Sequence, residues 1–286
     1  MKKKSCLLIA AALLALAASC TKEMEHITPM ATGETGEMTL RFSPYDINPM
    51  AKSTAISSIC SRIDVYIVDT VTHDTMRFHQ QRGVDQNFGT ITPTLKTTKG
   101  YRLLAIAHNY TDTVEHHNGI WEMPSEKVKQ TMVARVDFSP ADSLTLTVPM
   151  TRIVGMFKLK VSDTIPANVS QFVFNIDSTA YRWHEDGHGV GKLPRQTIIT
   201  GLNRGTDGYV TFNIYIIPDD LDTVKYVDIE VQAQDAGGAV IESRAFPSVP
   251  IKAGYVSTYT GTFFITFDMD AGFQVGDWGE YGNYNF

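Results

Sequence analysis

Cysteine is scarce in this chain, with three among 286 residues. That excludes a multi-disulfide scaffold, and a structural zinc site would have to find its ligands elsewhere. Positive charge is also short, 25 Lys+Arg against 31 Asp+Glu, giving a formal charge of −6. A surface that neutralises phosphates needs the opposite balance, so nucleic acid is not an expected partner. The phosphate-cradling Gly-x-x-x-x-Gly-Lys loop and the Gly-x-Ser-x-Gly nucleophile elbow are both missing. Beyond the N-terminus no apolar run approaches the length that spans a bilayer. What is present is 43% hydrophobic and 20% charged, enough for a packed core in two ordinary domains or one large all-β unit.

The N-terminus carries an address. Lys2, Lys3 and Lys4 precede an apolar run from Leu7 to Ala18, too short for an easy span and suited to a secretory signal. The run closes on Leu16-Ala17-Ala18-Ser19-Cys20, small residues leading to a cysteine. This resembles a bacterial lipoprotein signal, which implies residues 1–19 removed and Cys20 acylated, palmitate among its chains. Leu16 stands one place earlier than that pattern prefers; an ordinary cleaved signal is the alternative. Loss of the signal removes Cys6 and leaves Cys60 as the one free thiol of an exported chain. Thr21-Lys22-Glu23-Met24-Glu25 then resembles the surface-export signal of Bacteroidales lipoproteins, or reads as a polar tether over residues 20–36.

Beyond the tether, β-branched and aromatic residues alternate with polar ones. Met38–Phe42, Ile63–Val68, Leu144–Val148, Gly155–Val161, Phe172–Ile176, Thr197–Thr200, Tyr209–Ile217, Val224–Ala233 and Tyr259–Phe267 read as strands. Tyr101–Ala107 is nearly continuous in apolar residues, as a central strand would be. Gly237-Gly238 fits a hairpin, and His116-His117 beside Asn118-Gly119 fits a turn. Only Ser125–Val133 suggests a helix, two turns capped by Ser125 with Glu126 in the first turn. The fold class expected is therefore all-β, two β-sandwich domains at 37–150 and 151–286.

Chemistry is sought and mostly not found. His184-Glu185-Asp186-Gly187-His188 matches the letters of a helical zinc motif, but Gly187 and Gly189 oppose the helix that would put both imidazoles on one face. A solvent-exposed loop without zinc is the reading. Asp268-Met269-Asp270-Ala271-Gly272 opens like a calcium loop, yet its glycine comes a position early and Gly279 stands where the bidentate Glu belongs. No catalytic residue, cofactor or metal is assigned, and no enzyme is expected.

Asp followed by Ser or Thr and then a small or apolar residue recurs seven times. The pattern resembles the O-glycosylation acceptor of Bacteroidales and nominates Thr70, Thr75, Thr113, Ser143, Thr164, Ser178 and Thr223. Asp-Thr pairs are also good turn chemistry at the ends of strands.

Taken in order, several segments make the chain resemble the fimbrillin-like lipoproteins of Bacteroidales, nearest their anchoring or minor fimbrial subunits. They are Met38–Phe42 after the cysteine, Ile63-Asp64-Val65-Tyr66-Ile67-Val68-Asp69, and Lys99-Gly100-Tyr101 through Ala107-His108-Asn109. Pro149-Met150-Thr151-Arg152-Ile153-Val154-Gly155 follows, with Arg152 as an Arg opening the second domain, and Asp277-Trp278 closes the series. The resemblance implies two transthyretin-like Greek-key sandwiches. It also implies a cell outer-membrane location through the lipid at Cys20, and other fimbrial subunits as partners by β-strand addition in adhesion. In stalk subunits it implies proteolysis after an early basic residue. Here that is Arg41, expected to point outward from an ordered strand, or Arg62, expected to be more exposed; neither is expected to be cut. The alternative function is a surface glycan-binding lipoprotein of a carbohydrate-uptake system, with Trp121, Trp183, Trp278 and the tyrosines as stacking platforms.

Overall fold

The computed structural model describes residues 35–45, 55–124, 127–141, 144–203, 205, 207–264 and the backbone of 279–285. Cys20, Ser143, Trp278 and the candidate calcium loop at 268–272 lie outside them. In chain order the elements are β1 (Thr35–Glu37), β2 (Thr39–Pro44), helix α1 (Ile56–Ile59), β3 (Arg62–Asp69), β4 (Thr75–Gln81), β5 (Thr90–Ile91) and β6 (Thr94–Lys96). Next come β7 (Tyr101–His108), β8 (Glu115–His117), β9 (Ile120–Glu122), β10 (Thr131–Phe138), β11 (Thr145–Arg152) and β12 (Gly155–Val161). The remainder are β13 (Gln171–His184), β14 (His188–Ile199), β15 (Val210–Ile216), β16 (Lys225–Gln234), β17 (Val240–Ile251), β18 (Tyr255–Gly261) and β19 (Gly279–Asn285). The chain is all-β, and among the described residues no helix is long and apolar enough to cross a membrane.

In the first sandwich, β4-β3-β7-β10 form one layer and β11-β2-β5 the other. Only Met132↔Arg152 and Val133↔Thr151 join the layers at the corner between β10 and β11. Leu40, Phe42, Val148 and Met150 meet Ile63, Val65, Leu103 and Ala105 in one core. In the second, the four-stranded sheet β15-β12-β18-β19 packs on a larger sheet, β17-β16-β13-β9-β8, with β14 along the other side of β13. Phe157 and Phe212 from one sheet interlock there with Phe172, Phe174 and Phe246 from the other.

A third core joins the two. Tyr66, Leu104 and Ile106 on the outer face of the first sandwich pack with Trp121, Ile153, Val154, Ala180, Trp183 and Ile217. This explains the unbroken apolar run of β7: Leu103, Ala105 and Ala107 face one core while Leu104 and Ile106 face the other. The hairpin β8–β9, placed by its numbering in the first half of the chain, reaches across and pairs with β13 through Trp121↔Trp183 and its two neighbours.

Two expectations require correction. The helix proposed over Ser125–Val133 is not formed at its C-terminal end, because Thr131 begins β10, which pairs with β7 along eight residues. Met132 and Ala134 alternate into the first core, and that sheet partner overrides a local capping signal. Arg152 does not open a strand but ends β11; Ile153 and Val154 form a fully buried joint, and Gly155 opens β12. A Cβ at Gly155 would lie 2.6 Å from the Lys252 carbonyl oxygen and 2.8 Å from Ile251 Cγ2, so glycine stands there for want of room.

Candidate functional site

The early alternating strand β2 is docked on both edges. β2 runs parallel to β11 through six residue pairs, and its other edge pairs with β5 at Leu40↔Ile91 and Arg41↔Thr90. Arg41 projects outward as its alternation required, while Leu40 and Phe42 are buried. Arg62 departs from expectation. It lies within β3, opposite Gln81 and His108, and its guanidinium donates to the Thr111 carbonyl oxygen at 2.6 Å. It is half-buried rather than exposed, because the loop after β7 folds back over it.

The candidate acceptors divide by what holds their hydroxyls. Thr70 donates to the Gly100 carbonyl oxygen at 3.0 Å, Thr223 donates to Asp220 Oδ2 at 2.7 Å, and Thr113 is half-buried beside Arg62. Ser178 sits half-buried at the bulge that shifts the β13–β14 register. Thr75, entering β4, and Thr164, following β12, are exposed. Turn chemistry accounts for part of the pattern, since Asp69 Oδ1 accepts from the Val71 and Thr72 N–H groups at 2.9 and 3.0 Å.

The two described tryptophans do not form a surface platform. Trp121 and Trp183 are 1% and 0% exposed, facing each other across β9 and β13. Against them lies a clasp built from two hairpin tips. His116 packs on Trp121 with ring centres 4.7 Å apart and on Tyr66 at 5.7 Å. Its Nε2 is 3.1 Å from Glu185 Oε2. The Glu185 N–H donates to the Gly119 carbonyl oxygen at 2.8 Å, and Arg135 of β10 pairs with both Glu185 and Asp186. His184 and His188 are therefore not in an open loop. They end β13 and begin β14 as directly paired residues with rings stacked at 4.7 Å, a face-to-face arrangement with no helix to aim them at an ion. The glycines that argued against a helix serve a tight hairpin, in which Gly187 takes a φ of 97°. Beside the clasp opens a cleft of about 250 Å³ lined by Leu104, Trp121, Arg135, Thr151, Trp183 and Asp186 among others. Among the described residues no three His, Cys, Asp or Glu side chains are grouped to hold a metal ion.

A second polar cluster escaped the sequence reading. Asp64 and His108, both fully buried, meet through Oδ2 and Nε2 at 2.8 Å; His79 Nδ1 reaches Asp64 Oδ1 at 2.8 Å, and the Val114 N–H donates to Oδ2 at 2.8 Å. The Tyr110 N–H donates to His108 Nδ1, which assigns the proton of the neutral ring to Nε2, facing Asp64. Burial pushes the Asp64 carboxyl up, but hydrogen bonds from His108, His79 and Val114 outweigh it and hold the group below its ordinary range. Both ring nitrogens of His108 are occupied and its ring is sealed from solvent, so this pair locks β3 to β7 rather than serving as a base. Cys60 is likewise inert, its thiol pushed up to about 12 by burial.

No family model matches the chain, and no curated protein matches it. Among solved structures it is similar to a candidate adhesin of Bacteroides ovatus, at 14% identity over 73% of this chain and 77% of that one, TM-score 0.48. It is also similar to a candidate polysaccharide-binding protein of Bacteroides thetaiotaomicron, at 11% identity over 72% and 79%, TM-score 0.49. A third is the fimbrial anchor protein Mfa2 of Porphyromonas gingivalis, at 10% identity over 74% and 82%, TM-score 0.41. At this distance they carry no functional assignment, which rests on the chain's own residues.

Proposed function

We propose that the chain is a lipid-anchored surface subunit of a fimbria, held in the outer membrane by Cys20 at the membrane-proximal base, with a role in adhesion. The observation that carries this reading is the docking of β2. Cleavage at Arg41 would discard the tether, but a protease needs a locally unfolded segment. Releasing β2 exposes Leu40 and Phe42 at about 1.5–3 kcal/mol each, so the open form is rarer than about one part in a hundred. Arg62 is protected by the pairing of β3 on both sides.

Strand addition to other subunits has an available edge. β14 is guarded by Lys192 and Pro194, which blunt edge-to-edge pairing. β15 ends the four-stranded sheet and has the sequence Val-Thr-Phe-Asn-Ile-Tyr-Ile, with no Pro, Gly or Lys. Of the O-glycan candidates Thr70, Thr75, Thr164 and Thr223 stand exposed; the Thr70 and Thr223 hydroxyls are held in hydrogen bonds of 3.0 and 2.7 Å, so Thr75 and Thr164 suit a modifying enzyme best.

Mass spectrometry of protein from its native cells tests the reading: an acylated N-terminus at Cys20 is expected, and one at Phe42 or Ile63 would make this a stalk or tip subunit instead. Cys20→Ser should release the chain from membranes with its fold intact; unchanged membrane association would remove the anchor from the proposal.

A further inference from the structure

The clasp between the hairpin tips has a composition its packing role does not require. Four of the chain's eight histidines, His116, His117, His184 and His188, fall on two facing turns. The arm β8–β9 holds the larger sheet of the second sandwich by only three residue pairs, Arg182↔Glu122, Trp183↔Trp121 and His184↔Ile120. It holds the first sandwich at its root, where the Val114 N–H meets Asp64 and the Tyr66 hydroxyl donates to Glu115 at 2.9 Å. The arm is thus a strap across the joint, and its tip is fastened by Glu185.

We propose that this strap is acid-sensitive: protonation of His116 releases the β8–β9 arm from β13 and loosens the joint between the two sandwiches. The His116 ring is nearly buried between Trp121 and Tyr66, where a charge loses hydration. Around it stand Glu185 and Asp186 on the β13–β14 turn and His184 on β13. Arg135 on β10, Glu115 and His117 on its own strand, and Arg77 on β4 complete the charged surroundings. Glu185 favours the imidazolium, but that carboxylate is already shared with Arg135. Burial is the largest influence and, with His117 and His184, outweighs Glu185, so the folded protein holds His116 below the ordinary 6.5. The folded state then binds fewer protons than the released arm. The clasp is fully closed above 6.5 and weakens as the pH falls from there through the lowered value.

Hydrogen exchange of residues 115–122 in the full chain, corrected for intrinsic rates, tests this at about pH 7.5 and about pH 5. Wild type should lose roughly tenfold protection in that segment at the lower pH while β7 keeps its own. His116→Phe, which preserves the aromatic packing, and His116→Gln, which keeps a polar side chain beside Glu185, should both abolish the pH dependence. Unchanged wild-type protection, the same acid loss in both variants, or a His116 ring proton titrating above 6.5 would each overturn the proposal.

Discussion

The two sandwiches solve the same packing problem with different side chains. The second is filled by rings: Phe172 lies on Phe212 with centres 4.6 Å apart, and Phe157 meets Phe246 and Tyr259 at 5.4 and 5.3 Å. The first has a mainly aliphatic core and, on the opposite face of its central strands, the sealed carboxylate of Asp64. A ring cluster draws its stability from area and shape and does not respond to pH. A buried carboxylate with three donors holds only while it is charged and every partner is in place. The first sandwich should therefore be the acid-labile half, and the second the half that is sensitive to truncation.

Phe174→Ala offers the largest break in that contrast. It should cost about 3–5 kcal/mol and unfold the second sandwich at lower urea without adding any pH dependence. Asp64→Asn comes next, at about 1.5–3 kcal/mol, because the amide presents one oxygen where two met three donors. Its signature is in the pH profile. The depressed carboxyl of Asp64 contributes stability above the ordinary value of about 4 and loses it as pH falls through the folded value, so wild type weakens in acid and the variant weakens less. Urea midpoints at neutral and acid pH separate the two cases. Gly155→Ala, pressed against Lys252 and Ile251, should cost about 1–3 kcal/mol and act on the joint rather than on either core. Thr164→Val should change the unfolding free energy by less than about 0.5 kcal/mol, yet lower the mass of native-cell protein if a glycan is carried there.

What was legible in the sequence is what period-two alternation encodes. The strands from Met38, Ile63, Tyr101 and Tyr209 were readable because each faces a core with every second residue, or with nearly every residue in β7. The pairing of Asp64 with His108 was not, since 44 positions separate them and only the antiparallel contact of β3 with β7 brings them together. Trp121 and Trp183 misled for a related reason. Composition offers aromatic residues as ligand platforms, and only the crossing of the arm shows that they are spent on the joint. His184 and His188 were correctly denied a helix, but the hairpin that stacks them needs the register of β13 with β14, which no local pattern specifies. The resemblance puts the opening of the second-domain strand at Arg152, three residues before Gly155, whereas β11 runs on through Arg152 and only the buried pair Ile153-Val154 separates it from β12.

The direction of β2 has a mechanical consequence. From Thr39↔Thr145 to Pro44↔Met150 it lies parallel to β11, so its ladder is loaded along its length when the N-terminal end is pulled along the strand. Tension entering through a membrane tether would then strain all the rungs together in shear, whereas a hairpin pulled open at its end parts one rung at a time. Under the proposed tether, such a ladder resists detachment at β2 more than a hairpin opened from its end.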